Sequence, residues 1–192
     1  MVRSGQMDTR VRFLSAVLAL ICLLPRPASA IAVGDRAPDF SLSDQNGVSY
    51  SLSGSAGKVR LIYFFGHSAQ VCAETARQIG SDFESVYGAK GLVVLGLECW
   101  DGTEQQLRDF ATANEISYPL LGNAGATARQ YDLPYHSFLV LDSGGVVRLV
   151  IQGPDASAYD RGQIETAVRS LLQNPSATEE QTWGAIKALF SR

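Results

Sequence analysis

Two apolar runs constrain this chain more than any other feature. Arg60–Phe65 lies within VRLIYFFGHSAQVCAE at Val59–Glu74, and Leu92–Leu97 reads LVVLGL. A strand with one wet face alternates apolar and polar residues. A strand-length run without that alternation fits burial on both faces, as in a parallel sheet under helices. Between the runs, Val71, Ala76, Ile79, Phe83 and Val86 recur at three- and four-residue spacing, which predicts a helix over Ala69–Tyr87 with one apolar stripe. Gly88 and Gly91 close it. The prediction is an α/β fold.

The other segments fit around that unit. VGDRAPDF at Val33–Phe40, then Ser41-Leu42, the turn Asp44–Gly47 and the alternating Val48–Leu52 predict a small N-terminal β-hairpin. Thr103 with Gln106 makes a capping box ahead of Leu107, Phe110 and Ala111. Ile116–Leu121 is expected as a short strand and Ala124–Tyr131 as a short helix. Ser137–Leu141 and Val146–Gln152 flank the glycine turn Asp142–Gly145 as a hairpin. Asp160–Leu172 is the last helix, with Ile164, Val168, Leu171 and Leu172 inward. No internal repeat is present. Asn174–Glu180 is a polar linker, and Trp183–Phe190 reads as a short amphipathic helix that packs back on the domain or docks a partner.

The first thirty residues read as a leader. Arg3, Arg10 and Arg12 precede an apolar stretch, Phe13–Leu24, that is too short to span a bilayer. Pro25 and Pro27 break it, and Ala28-Ser29-Ala30 is a small-residue cleavage pattern. Residues 1–30 are thus a signal peptide, 31–173 the domain, and 174–192 the linker and terminal helix. Export to the periplasm or the extracellular space follows, with no membrane span after signal removal. Of 16 basic and 19 acidic residues, four basic (Arg3, Arg10, Arg12, Arg26) and one acidic (Asp8) fall in the leader, leaving 12 and 18 and a net charge of −6. That balance argues against nucleic acid as a partner. Cys22 leaves with the leader, so Cys72 and Cys99 remain, in a compartment where a cysteine pair is usually a disulfide.

Cys72 is the first chemical candidate. The strand runs into a short loop that delivers it to the start of the helix. Unpaired backbone N–H groups there carry partial positive charge and favour a thiolate. The bland reading of the same position is a small hydrophobe packed in the first helical turn.

The order of elements resembles the thioredoxin fold of extracytoplasmic redoxins, both the TlpA/ResA-like thiol–disulfide proteins and the AhpC/TSA peroxiredoxins. The resemblance rests on Val33–Phe40, on Asp44–Gly47, on Gly57-Lys58 before the central strand, on Leu92–Leu97, on FLVLDSGG at Phe138–Gly145 and on Gly153-Pro154. It implies a thioredoxin-like fold: a central mixed sheet flanked by helices over about Val33–Leu172. The active-site motif departs from both groups. Where TlpA/ResA-like proteins carry Cys-x-x-Cys, this chain has Ala69-Gln70-Val71-Cys72. Where peroxiredoxins carry Pro-x-x-x-Thr-x-x-Cys, it has Phe65 and Ala69 in place of the proline and threonine and keeps Cys72. Before the strand at Ser137, where the thioredoxin group has a cis-proline, stands His136.

In this fold His67, Cys72, Cys99 and His136, the only histidines and cysteines after the leader, fall at one edge of the sheet, where open α/β sheets bind ligands. Three readings compete. In the first, Cys72 is the lower-pKa attacking thiol, with His67 or His136 nearby, and Cys99 is its partner, in thiol–disulfide exchange or peroxide reduction. No cofactor is needed; the partners are protein thiols or disulfides, or peroxide, with an exported electron-donor protein. Glu74 and Arg77 would tune the site or only solvate the helix. In the second, a Cys72–Cys99 disulfide is structural, stabilising by about 3.5 kcal/mol, and the protein is a binding module. In the third, the four residues hold zinc or copper, as in Sco-like proteins, whose two cysteines lie closer together in sequence than these. Trp100 and Tyr135 flank the site, as packing or as walls of a substrate groove.

Overall fold

The structure, a computed structural model, describes residues 30–153 and 158–174. The expected leader, apart from Ala30, and the expected linker and terminal helix, apart from Asn174, lie outside the described residues. The N-terminal hairpin is β1 (Ser41–Ser43) paired antiparallel with β2 (Ser49–Ser51). Asp44 makes the turn: its Oδ1 accepts from the Asn46 and Val48 N–H groups, both at 2.8 Å.

The main sheet holds β3 (Val59–Phe65), β4 (Leu92–Glu98), β5 (Leu120–Leu121), β6 (Ser137–Leu141) and β7 (Val147–Gln152), in the order β5-β4-β3-β6-β7. The β3–β4 and β4–β5 pairs are parallel, and β6 and β7 run antiparallel to their neighbours. The sheet is therefore mixed, as expected. All seven residues of β3 are buried, which is what a run without alternation requires. Leu61, Tyr63 and Phe65 face one layer, with α1 (70–87), α2 (Glu104–Ala113) and α4 (Arg161–Gln173). Ile62 and Phe64 face the other, with the hairpin and α3 (Gly125–Tyr131). Among the described residues no helix is long and apolar enough to cross a membrane.

Besides one-residue shifts at the starts of α3 and β7, the structure differs from the sequence reading as follows. Helix α1 is regular over Gln70–Ile79, widens into a π turn at Gly80–Glu84 and resumes at Ser85–Tyr87. The wider turn rotates the face, so Tyr87 is buried and Val86 is 43% exposed. At the helix start Cys72 takes the inward position and Val71 only packs at the margin. The strand expected over Ile116–Leu121 shortens to β5, which pairs with β4 only at Gly96 and Leu97; just before it Tyr118 is buried and its hydroxyl donates to the Ala76 carbonyl. The last helix begins one residue later than expected, with Asp160 as its cap accepting from the Gln163 N–H at 2.9 Å. The Thr103–Gln106 capping box forms as read.

Because β6 is antiparallel to β3, its first residue lies at the edge where β3 and β4 end: Ser137 pairs with Phe64, and Phe65 with Glu98. His67, Cys72, Cys99 and His136 all stand along that edge.

Candidate active site

The site begins where β3 stops. Gly66 is small of necessity, since a Cβ there would lie 2.7 Å from the ring of Trp100. The chain turns back on itself, with the Ala69 N–H donating to the Gly66 carbonyl at 3.1 Å, and α1 starts without a side-chain cap. Cys72 sits in the first turn, its N–H bonded to the Ala69 carbonyl. Its side chain points into the core and is fully buried.

That burial decides its chemistry first. Desolvation pushes the Cys72 thiol up from its ordinary value. Two donors pull it back down, the Tyr63 hydroxyl and the Gly66 N–H. The expected low-pKa thiolate is therefore opposed by burial, which outweighs these two groups. Tyr63 is itself fully buried and its titration is raised, chiefly by burial and then by the neighbouring thiol. Its hydroxyl lies against Cys72 and Thr75 without an aligned hydrogen-bond partner.

His136 packs beside Tyr63 beneath the first turn of α1. It adopts a left-handed backbone, φ 61°, with no cis peptide bond among the described residues. Its N–H donates to the Phe64 carbonyl at 2.7 Å, and its Nε2 shares a 3.1 Å hydrogen bond with Thr75 Oγ1. The buried ring stands edge-on to Tyr63, with centroids 5.9 Å apart, and to Phe138, at 5.4 Å. Cys72, Tyr63, Thr75 and His136 thus make one buried polar cluster beneath the first turn of α1.

Cys99 follows β4, its N–H donating to the Phe65 carbonyl at 2.9 Å. It is partly buried, and its thiol lies 3.5 Å from the Leu97 carbonyl. Burial, then the Glu98 charge, then Cys72, push its thiol up to about 12. Both cysteines are free thiols. His67 is drawn away from them: its Nδ1 donates to Glu98 Oε1 at 3.0 Å. Glu98 is fully buried and also accepts from the Trp100 N–H at 3.0 Å and the Gly102 N–H at 2.8 Å. The side chain therefore ties the loop after β3 to the loop after β4.

Trp100 lies across Gly66, 44% exposed, with its ring 5.1 Å from that of Tyr135. Beside Cys99 these two rings wall a groove of about 400 Å³ that continues along Arg129, Leu133 and Pro134. The metal reading gains no support, because no three His, Cys, Asp or Glu side chains among the described residues converge as a metal would need. Glu74 and Arg77 take no part in the cluster; Arg77 donates to Asn114 Oδ1 at 2.9 Å.

Three residues of the site were not among the chemical candidates read from the sequence: Tyr63, Thr75 and Glu98. Each had a faint signal. Tyr63 lies on the face of β3 that α1 covers, Thr75 is a polar residue one turn past Cys72, and Glu98 is an acid ending a buried run.

The model of the AhpC/TSA family matches residues 33–150. The thioredoxin-like protein YneN of Bacillus subtilis is 28% identical over 120 residues, 62% of this chain and 70% of YneN. The chloroplastic peroxiredoxin Q of Arabidopsis thaliana is 32% identical over 127 residues, 61% of this chain; the matched stretch spans only 57% of that relative. The crystal structure of peroxidoxin BcpB from Mycobacterium tuberculosis superposes with a TM-score of 0.61 at 20% identity, over 73% of this chain and 98% of that one. At that identity the likeness is one of fold.

Proposed function

The chain belongs to the AhpC/TSA family, and from that premise we propose that it is an exported thiol oxidoreductase in which Cys72 attacks and Cys99 resolves. One observation carries the proposal. The Tyr63 hydroxyl and the Gly66 N–H border Cys72 in the first turn of α1 and oppose the upward push of burial on its thiol, and the only other cysteine after the leader, Cys99, follows the end of the adjacent strand. Donors placed where negative charge sits on sulfur favour the thiolate that does the chemistry.

Peroxide is the substrate class that suits this burial. A fully buried sulfur is closed to a folded protein's disulfide, whereas a peroxide is small enough to need only a slight local opening. The Cys72 thiolate attacks the terminal peroxide oxygen and the O–O bond breaks. Cys72 becomes a sulfenic acid, and the other oxygen leaves as water or an alcohol after taking up a proton. The Cys99 thiolate then attacks the Cys72 sulfur, the S–O bond breaks as the disulfide forms, and the sulfenic oxygen leaves as hydroxide, which takes up a proton from solvent to become water. An exported dithiol donor returns the two electrons. Thiol–disulfide exchange is the second reading, favoured by the partial exposure of Cys99 beside the Trp100–Tyr135 groove.

The experiment is thiol trapping with mass spectrometry, after peroxide addition and across a glutathione redox series. The expected product is a Cys72–Cys99 disulfide, opening between about −180 and −270 mV. Cys99→Ser is expected to stop at a Cys72 sulfenic acid that dimedone traps. Peroxide consumption and disulfide reduction that both survive Cys72→Ser would end this reading. A disulfide that stays closed below about −300 mV would make the pair a structural staple and the protein a binding module.

A further inference from the structure

The opposite end of the sheet carries a feature that the thiol site does not use. Arg60 lies in β3, the central strand, and is only 2% exposed. Its Nη2 donates to the carbonyl oxygens of Asp142, at 2.9 Å, and Ser143, at 3.1 Å, in the turn between β6 and β7. Its Nε is buried without an acceptor. Its Nη1 makes no hydrogen bond among the described residues. Arg60 forms no ion pair among the described residues. The carboxylate whose charge reaches it, that of Asp142, is held by Arg148 at 2.7 and 2.9 Å and by the Val146 N–H at 2.9 Å.

A guanidinium removed from water without a committed counter-charge is costly, and its planar fork of donors fits a carboxylate. Arg60 lines a cleft of about 470 Å³, with Arg36 at the rim and Ala37, Pro38 and Leu52 as apolar wall. Arg36 is exposed and in no ion pair among the described residues; its Nη1 lies 4.0 Å from where a Gly145 Cβ would stand, so both guanidinium groups flank the same turn. The acid in the cleft, Asp39, is turned to its own backbone, its Oδ1 accepting from the Phe40 N–H at 2.9 Å and the Ser53 N–H at 3.0 Å. The cleft therefore has a positive end, an apolar wall and a size within the range of small-molecule sites.

We propose that this cleft binds a small organic carboxylate with an apolar body. The carboxylate meets the Nη1 edge of Arg60, which has no hydrogen-bond partner among the described residues, with Arg36 above it, and the body lies on Ala37, Pro38 and Leu52.

The test uses the isotope-labelled mature chain, with benzoate as the probe and sodium chloride at matched ionic strength as the control. The expected result is a saturable shift of the Ser53, Ser143, Gly144 and Gly145 amides that chloride does not reproduce. Arg60→Met is expected to weaken binding about tenfold or more, since a hydrogen bond to a charged group is at stake. Arg36→Ala, a surface change, is expected to weaken it several-fold with the unfolding midpoint unchanged, and it decides the question if Arg60→Met does not fold. Shifts that chloride reproduces, or benzoate affinity unchanged by Arg36→Ala, would overturn the proposal and leave Arg60 as a strap for the turn. Equal affinity for inorganic phosphate would remove the carboxylate and its apolar body from it.

Discussion

At Cys72 two effects oppose each other. Burial favours the neutral thiol, while the Tyr63 hydroxyl and the Gly66 N–H favour the thiolate. The Gly66 donor is backbone and cannot be removed by substitution, so Tyr63 is the group to change. Tyr63→Phe is expected to raise the Cys72 pKa, move the pH–rate profile for alkylation to higher pH, and slow alkylation at neutral pH by about tenfold. The profile is best read in a Cys99→Ser background. Stability should move by less than about 1 kcal/mol, because the hydroxyl has no aligned partner to lose. An unmoved profile would mean that Tyr63 only packs. At this scale the sequence revealed positions better than environments. The four chemical residues fall at one edge, as read. Whether each is buried and what faces it depends on contacts between distant segments, and no local pattern around Cys72 announces a tyrosine nine residues earlier.

Between elements, the working part is the pair of loops that leave β3 and β4. Glu98 joins them: the His67 ring and the Trp100 and Gly102 N–H groups all donate to one buried carboxylate. Removing it leaves these donors without their acceptor, and each buried one costs about 1–3 kcal/mol. Glu98→Ala is expected to lower stability by about 3 kcal/mol or more, measured by urea unfolding, and to alter Trp100 fluorescence, read in a Trp183→Phe background. Glu98→Gln keeps one carbonyl acceptor and should cost clearly less; equal losses would point to packing rather than to these bonds. The elements themselves were largely legible, because burial writes periodicity into a strand or helix. The π turn at Gly80–Glu84 was not legible, since one wider turn changes the phase of the stripe without changing its composition, and Val86 was assigned inward for that reason.

For the molecule as a whole, the order of apolar runs, turns and caps was enough for a thioredoxin-like fold, because few layered arrangements can bury β3 and β4 on both faces. The same burial gives the fold an alkaline limit. Burial raises the titration of Cys72 and Cys99, and of Tyr63, Tyr118, Tyr131 and Tyr159. Below the ordinary thiol value of about 8.5, folded and unfolded chains both keep these protons, so stability does not depend on them. Above it the unfolded chain releases protons that the folded chain retains, and stability falls with pH. For Cys99 that fall continues until the folded thiol itself ionises, at about 12. Each thiol can contribute at most about 1.4 kcal/mol per pH unit across its window. Urea midpoints taken from neutral to strongly alkaline pH should therefore be level at first and then decline, and Cys99→Ser should make the decline shallower. The buried tyrosines add their own slope only at higher pH, since they start from about 10. A decline that begins at the thiol value and is the same in the variant lacking both Cys72 and Cys99 would show that other groups set the limit, and that the two thiols do not feel the burial their positions give them.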